Sequence, residues 1–300
     1  MRRRPFHPAF WVLAHLGSRV RLTPPALRRL PHAQGPAPTT VQIPTRHGRV
    51  RAVVLHPEAS SGPVPVVLHL HGGGFVNRNP EQDLPLARHL VAELGVGVVL
   101  PDYDTAPRVR YPVPEQQMAD VARWVREHAA AHAWDPDQLV VSGISAGAKL
   151  AVNICQDLHA RGLPRPAAAC LTVPVLDLTR TDRRSSARRP AISPFVQGFA
   201  QWAHVPDPAR QAEPTVSPAW DDHLADALPP TLVQTAQLDT LAAEGARLAR
   251  TLRDGGVPVE HHEIAGADHG MYSDSHALAL LRTTCDFLAR HLATGPTRAA

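Results

Sequence analysis

One segment constrains the fold of this chain more than any other, because it sets a serine between two glycines where an apolar run meets helix-forming residues. The segment reads Gly143-Ile144-Ser145-Ala146-Gly147. In a sharp turn from a strand into a helix, the flanking residues must be small, since the two elements pass close to each other there. Such a turn holds the Ser145 hydroxyl clear of the sheet and near the free N–H groups of the helix start. The pattern therefore predicts a nucleophilic serine on a strand–turn–helix unit.

A second glycine-rich segment follows an apolar run that is typical of a buried strand. The run Val66–Leu70 leads into His71-Gly72-Gly73-Gly74-Phe75. Three successive glycines are costly unless the backbone must approach another group closely. We expect the N–H groups of Gly73 and Gly74, with that of Ala146, to form an oxyanion hole. A flexible loop or a phosphate-binding loop is the alternative. The two common phosphate-binding patterns, Gly-x-x-x-x-Gly-Lys-Ser/Thr and Gly-x-Gly-x-x-Gly, are both absent from the sequence.

A nucleophilic serine needs a histidine base, and the base needs a carboxylate that holds its tautomer and balances its charge. Among eighteen histidines, His269 follows one strand-like run and Asp239 follows another. These strand-like runs span Val257–Ile264 and Thr231–Ala236. The chain order Ser145, Asp239, His269 is typical of an α/β-hydrolase. We therefore expect a catalytic triad of these residues, with Asp268 as the competing acid.

Together these motifs resemble those of the hormone-sensitive-lipase-like esterases, also called bacterial family IV, over roughly residues 40–292. The resemblance is carried by the HGGGF run, the GISAG pentapeptide, Ser217-Pro218, Leu228-Pro229-Pro230 and the ADHG run. It implies an α/β-hydrolase fold, with a mostly parallel central sheet, flanking helices and a helical cap. It also implies hydrolysis of carboxylic esters through an acyl-enzyme, without a cofactor. The matching positions are the nucleophile Ser145, the acid Asp239, the base His269 and the oxyanion donors Gly73, Gly74 and Ala146.

Three positions depart from the pattern that is usual in that family. Ile144 stands where Asp is common, Ala148 where Gly is common, and Asp104 where Arg is common. None of these changes removes a catalytic group. They bear instead on the shape of the pocket and on the choice of substrate.

Strand-like and helix-like runs alternate along the chain, which predicts one α/β catalytic domain with insertions. Helices are expected over Glu115–His132, Ala146–Arg161, Leu241–Arg253 and His276–His291. Residues 1–38 and 180–222 fall outside the alternation, and the family resemblance implies that both form a cap on the catalytic domain of residues 39–179 and 223–300. A cap excludes water and shapes the pocket. The residues expected to line that pocket are Phe75, Ile144, Trp202 and Met271.

Arginine dominates the cationic residues and is placed unevenly. Of 31 Lys and Arg residues, only Lys149 is a lysine, and residues 1–57 hold ten arginines but no Asp or Glu. Five more arginines lie within residues 180–189. No nucleic-acid-binding motif or aromatic platform accompanies them, so we expect a solvated surface and no nucleic-acid partner. An anionic substrate or a membrane surface is the alternative.

The cysteines and the amino-terminal segment favour a cytoplasmic protein without stable membrane insertion. Three widely spaced cysteines are typical of reduced core residues, and they are Cys155, Cys170 and Cys285. The apolar run near the amino terminus is broken by His15 and is too short to span a bilayer. A cap helix is therefore favoured over a signal peptide. The oligomeric state is left open, a homodimer included.

A metal site and a catalytic lysine are the remaining alternatives for the functional site. His69 and His71 alternate on a strand, but further ligands at the usual zinc spacing are missing, so no metal is expected. Lys149 lies four residues after Ser145, whereas a β-lactamase-type Ser-x-x-Lys motif needs three. Neither pattern fits.

The favoured function is hydrolysis of small-molecule carboxylic esters with small to medium acyl groups. An amidase or N-deacetylase is the alternative among enzymes, because the same triad serves both bonds once His269 protonates the leaving amine. A catalytically silent hydrolase-fold binding protein is the alternative outside enzymes. The presence of all three triad residues argues against it.

Overall fold

The computed structural model describes residues 8–19, 23, 25–32, 34–58, 60, 62–270 and 273–292. Met271, which the sequence places in the pocket, lies outside the described residues. So do residues 1–7 of the first expected cap segment. All other expected site residues are described.

One eight-stranded sheet forms the centre of the described chain. Its strands are β1 (Thr39–Thr45), β2 (Gly48–Leu55), β3 (Val64–Leu70), β4 (Gly97–Pro101), β5 (Trp134–Ile144), β6 (Ala168–Thr172), β7 (Thr231–Ala236) and β8 (Val259–Ile264). Their spatial order is β1-β2-β4-β3-β5-β6-β7-β8. β2 pairs antiparallel with β1 and with β4, and all other neighbours pair in parallel. The expected mostly parallel sheet is confirmed.

Four inner strands, β3, β4, β6 and β7, are buried along their whole length. Continuous apolar runs suit such strands, because helices cover both faces of a parallel sheet. Successive side chains point to opposite faces. Leu68 and Val141 join the core on one face, whereas Val67 and Val140 join the core on the other.

Nine α-helices are seen in the described residues. They are α1 (Pro8–Gly17), α2 (Pro25–Arg28), α3 (Leu84–Leu94), α4 (Val113–Glu127), α5 (Ala146–Ala160), α6 (Pro194–His204), α7 (Leu224–Ala227), α8 (Ala242–Asp254) and α9 (Asp274–His291). α4, α5, α7 and α8 pack on the face of Leu68, and α2, α3 and α9 pack on the face of Val67. None of these helices is long and apolar enough to cross a membrane.

The four expected helices are all present, with shifted ends. The one expected over Glu115–His132 is two elements, because α4 ends at Glu127 and a separate 3₁₀ turn covers Ala129–His132. Ala133 follows in a left-handed conformation that ends this turn before β5.

The parallel strands bring distant parts of the sequence to one edge of the sheet. β3 leads into the glycine loop, β5 into Ser145, β7 into Asp239 and β8 into His269. Because parallel strands end on the same side, these four loops share that edge. The strand order sets β3 beside β5, and β7 beside β8. The fold therefore collects the expected site residues.

α6 lies within the segment 180–222. Its first turn is capped by Ser193, whose side chain accepts a hydrogen bond from the Val196 amide, and Pro194 occupies the first helical position. Phe199 of α6 meets Phe10 of α1 edge to face, with ring centroids 5.6 Å apart. The two segments outside the strand–helix alternation thus contact each other.

Candidate active site

The turn around Ser145 has the strained geometry that its sequence predicts. Ser145 adopts φ 56° and ψ −115°, a conformation that residues with a side chain rarely adopt. A Cβ atom at Gly147 would lie 2.0 Å from the Leu70 carbonyl oxygen, and one at Gly143 would lie 2.4 Å from the Gly147 carbonyl oxygen. Both positions exclude any side chain. The Ser145 amide donates to the Thr172 carbonyl at 2.9 Å, which fixes the turn against β6.

Ser145, His269 and Asp239 form one hydrogen-bonded line. His269 Nε2 lies 2.8 Å from Ser145 Oγ, and His269 Nδ1 lies 2.7 Å from Asp239 Oδ2. The Asp239 side chain is fully buried, and its other oxygen accepts from the Leu241 amide at 3.0 Å. A carboxylate at Nδ1 favours the tautomer with the proton on that nitrogen. The Nε2 lone pair then faces the serine hydroxyl and can accept its proton.

Asp268, the competing acid, bonds to the backbone. Its Oδ2 accepts from the Ala191 amide at 2.8 Å, and its Oδ1 accepts from the His269 amide at 2.7 Å. Asp268 therefore fastens the segment before α6 to the loop that carries His269. Asp239 is the carboxylate that meets the imidazole ring.

The glycine loop stands beside the serine. Gly72, Gly73 and Gly74 line the same cavity as Ser145 and His269. Gly73 has φ 130° and Gly74 has φ 60°, so both require the freedom of glycine. The Gly73 carbonyl accepts from the Asn77 amide at 2.9 Å, which closes the loop into a turn. Ala146 is the first residue of α5, where amides lack a carbonyl partner within the helix.

A cavity of about 560 Å³ opens beside the triad. Its wall is mainly apolar, and three parts of the chain contribute to it. The segment containing α6 supplies Ile192, Val196 and Phe199, the amino-terminal segment supplies Gly17 and Leu27, and the helices beside the sheet supply Leu86 and Leu280. A cavity of this size and character suits a small apolar ligand.

Two of the expected pocket residues, Phe75 and Ile144, line this cavity. Trp202 does not appear among the described residues that line it. Its ring packs against Phe10, with centroids 5.6 Å apart, and lies under the Arg110 guanidinium at 4.9 Å. Trp202 follows the cavity-lining Phe199 by three residues, so both rings lie on one face of α6 and pack against Phe10. Of the two, Phe199 is the one that lines the cavity.

One arginine of the expected solvated cluster is buried. Arg180, Arg184, Arg188 and Arg189 are exposed. Arg183 is buried instead and pairs with Glu244 on α8. Its guanidinium also donates to the Arg180 carbonyl at 2.6 Å. This arginine therefore anchors the segment 180–222 to the helices beside the sheet.

A second buried charge cluster lies behind the glycine loop, and sequence reasoning missed it. Lys149 is fully buried and its Nζ contacts Glu115 Oε1, while His204 Nε2 lies 2.8 Å from the same oxygen. Burial raises the pKa of the Glu115 carboxyl, yet Lys149 and His204 together lower it to about 2. Burial lowers the pKa of His204, which favours its neutral form. The available signal was the chain's single lysine, one turn after Ser145.

Within the described residues, one group of side chains brings possible metal ligands together. His32, His89 and Glu93 bring their ligand atoms within 4.8 Å of one another, on and beside α3. The two histidines that the sequence sets on one strand are not part of this group. His69 Nδ1 lies 3.0 Å from Ser142 Oγ, and His71 Nδ1 lies 2.7 Å from the Gly72 carbonyl oxygen.

Comparisons with known proteins agree with this architecture. A family model described as the α/β-hydrolase fold matches residues 67–273. The chain is 30% identical to an ethyl acetate hydrolase of Pseudomonas putida over 244 residues, which cover 76% of this chain and 74% of that protein. An esterase of Pyrobaculum calidifontis shares the fold with a TM-score of 0.83 at 24% identity, covering 98% of this chain and 96% of its own. A thermostable carboxylesterase from a metagenomic library gives a TM-score of 0.80 at 25% identity. The match covers 95% of this chain and 96% of that protein.

Proposed function

Because the chain belongs to the α/β-hydrolase family, we propose that it is a serine carboxylesterase of the hormone-sensitive-lipase-like group. Its substrates are small-molecule esters with small to medium acyl groups. The observation that carries this proposal is the Ser145–His269–Asp239 line, with contacts of 2.8 and 2.7 Å at the wall of an apolar cavity. A relative whose name is ethyl acetate hydrolase supports a short acyl group.

Acylation begins when Ser145 Oγ attacks the ester carbonyl carbon. The hydroxyl proton moves to His269 Nε2, and buried Asp239 balances the charge of the imidazolium that forms. The carbonyl oxygen becomes an oxyanion, which accepts hydrogen bonds from the amides of Gly73, Gly74 and Ala146. The amino-terminal end of α5 adds a favourable field. The tetrahedral intermediate then collapses, and His269 protonates the departing alcohol.

Deacylation repeats these steps with water as the nucleophile. His269 Nε2 takes a proton from water as the water attacks the acyl carbon, and the same three amides hold the second oxyanion. Collapse returns the proton to Ser145 and releases the carboxylic acid. His269 therefore mediates every proton transfer in both halves of the cycle.

We propose that residues 1–38 and 180–222 act together as a cap over Ser145. Wall residues from both segments support this, namely Leu27 from the first and Phe199 from the second. The contacts of Asp268 with Ala191 and of Arg183 with Glu244 hold the second segment on the catalytic domain. Such a cap keeps bulk water from the acyl-enzyme.

A cytoplasmic location is part of the proposal. All three cysteines are free thiols. Burial raises the pKa of Cys155 to about 12, so that thiol is unreactive at neutral pH. Unpaired, protected cysteines suit a reducing compartment.

Replacing Ser145 tests the proposed function. We expect Ser145→Ala to lose hydrolysis of p-nitrophenyl butyrate and labelling by a fluorophosphonate, while circular dichroism shows an intact fold. Ser186→Ala removes an exposed hydroxyl and should retain both activities. Persistent labelling of the Ser145→Ala variant would show that another serine is the nucleophile.

A further inference from the structure

The side chain of Lys149 is enclosed behind the oxyanion loop. Lys149 lies on α5, one turn after the nucleophile, and its amide donates to the Ser145 carbonyl at 3.2 Å. Its ammonium pairs with Glu115 and lies 5.8 Å from the Phe75 ring centroid and 5.7 Å from that of Tyr111. One carboxylate and two aromatic faces thus surround a fully buried cation.

His204, at the end of α6, joins the capping segment to this pair. Its Nε2–H donates to the Glu115 oxygen that contacts Lys149. Its ring stacks on Phe75, with centroids 3.9 Å apart and planes 12° from parallel. Its carbonyl accepts from the Tyr111 amide at 3.2 Å. A single carboxylate on α4 therefore holds side chains from both α5 and α6.

Phe75 connects this cluster to the proposed oxyanion donors. It directly follows Gly74, has φ 61°, and is 1% exposed. Its carbonyl accepts from the Ala106 amide at 2.8 Å. Gly74 and Phe75 share a peptide unit, so a rotation of the Phe75 backbone moves the glycine loop. Oxyanion donors contribute only when they lie within hydrogen-bond distance of the developing charge.

The contacts at position 149 favour an ammonium group over a guanidinium. Every other cationic side chain, thirty in all, is arginine. A guanidinium carries five N–H donors in a rigid plane and would need several acceptors at a buried site. Lys149 instead meets one carboxylate oxygen and two rings. Arginine is therefore not a conservative replacement here.

We propose that Glu115, Lys149 and His204 are positioning residues for ester hydrolysis. They hold Phe75 in place, and through it they fix the position of the Gly73 and Gly74 amides relative to Ser145. They also couple the position of these amides to α6, because His204 belongs to the helix that lines the cavity. This inference rests on the proposed function, since it concerns the same oxyanion hole.

The charge balance of the cluster determines which variants are informative. The titratable groups that face it are Glu115 on α4, Lys149 on α5, His204 on α6, and Tyr103 and Tyr111 on adjoining loops. Burial lowers the pKa of Lys149, and Glu115 opposes that effect. Glu115→Gln therefore favours loss of the Lys149 proton, whereas Lys149→Met leaves a buried carboxylate without its main partner.

The test measures kcat and KM separately for p-nitrophenyl butyrate. We expect Glu115→Gln and Lys149→Met to lower kcat about 10- to 100-fold, a part of the loss seen when an oxyanion donor is removed. KM should change less than about 3-fold, because the lost interaction acts in the transition state. Lys149→Arg should not restore kcat. The uncharged double variant Glu115→Leu/Lys149→Met should recover thermal stability but keep the low kcat.

A matched control breaks another ion pair across the same two helices. Arg123 on α4 lies 2.9 Å from Asp157 on α5, and we expect Arg123→Met to keep kcat within about 2-fold. A kcat close to that of the wild type in folded Glu115→Gln would overturn the proposal. If the single variants do not fold, the double variant decides, and full recovery of its kcat would show that the cluster only stabilises the protein.

Hydrogen exchange separates this inference from the proposed function. Faster amide exchange over residues 72–77 is expected in Glu115→Gln and in the double variant, but not in Arg123→Met. Ester hydrolysis that is lost in Ser145→Ala supports the proposed function by itself, and kcat then decides the positioning role. If the wild type hydrolyses no ester, the proposed function fails. The exchange rates then decide whether the cluster positions the glycine loop. Unchanged exchange in that case would contradict the positioning role.

Discussion

The Asp239 carboxylate illustrates how one residue fixes the tautomer and the orientation of its neighbour. Because it contacts His269 Nδ1 at 2.7 Å, Asp239→Asn should lower kcat by roughly 10⁴-fold, since the amide cannot balance the imidazolium charge. Asp268→Asn is the matched control, because it changes an adjacent carboxylate that bonds to backbone amides. Steady-state kinetics of both variants provide the check. Full activity in Asp239→Asn together with an inactive Asp268→Asn would reverse the assignment.

Single residues were predictable where a strand end marks them. Ser145, Asp239 and His269 all follow strand-like runs, and the structure brings their side chains into contact. Contact between Glu115 and His204 could not be foreseen, because it depends on how α4 and α6 pack. Whether Trp202 or Phe199 lines the cavity depends on where α6 lies over the catalytic domain, and the sequence of α6 does not reveal that position.

At the scale of the elements, we expect the glycine loop and the serine turn to form walls around the carbonyl that limit the acyl group. Ile144 and Phe75 line the cavity beside Ser145. Each buried methylene contributes about 0.8 kcal/mol to binding, so kcat/KM rises with chain length until a wall is reached. We expect p-nitrophenyl esters to be cleaved best between acetyl and hexanoyl and poorly at decanoyl, with Ile144→Ala shifting the optimum to longer chains. A wild-type preference for dodecanoyl or longer esters would contradict this limit.

The elements themselves were predictable to different degrees. The inner parallel strands have short, largely apolar runs, whereas the helices that follow them were located with shifted ends. The pairing of β2 with β4 and the strand order join residues far apart in the sequence, and no local pattern encodes them. The anchoring of the segment 180–222 by Arg183 was hidden for the same reason, because its partner Glu244 lies 61 residues away.

For the whole molecule, buried histidines make stability depend on pH. Burial lowers the pKa of His71 and His204 below the ordinary value of 6.5. The unfolded chain therefore binds more protons, and the free energy of unfolding falls as the pH drops below about 6.5 until each folded-state pKa is passed. Glu115, with a pKa of about 2 against 4.5, adds a second loss as the pH falls from about 4.5 toward 2.

Urea unfolding between pH 5 and pH 8, the range in which histidines titrate, checks this dependence. His204→Phe keeps an aromatic ring against Phe75, and we expect a shallower fall in the free energy of unfolding below pH 6.5. A slope in His204→Phe equal to that of the wild type would show that His204 does not contribute.

The most direct test of the central claim is detection of an acyl group on Ser145. The wild type is mixed rapidly with p-nitrophenyl butyrate, quenched in acid during the first turnover and digested for peptide mass spectrometry. We expect one butyryl group on Ser145, formed with a burst of p-nitrophenol, and no such adduct in Ser145→Ala. Ester hydrolysis without acylation of Ser145, or acylation of another residue at a kinetically competent rate, would contradict it.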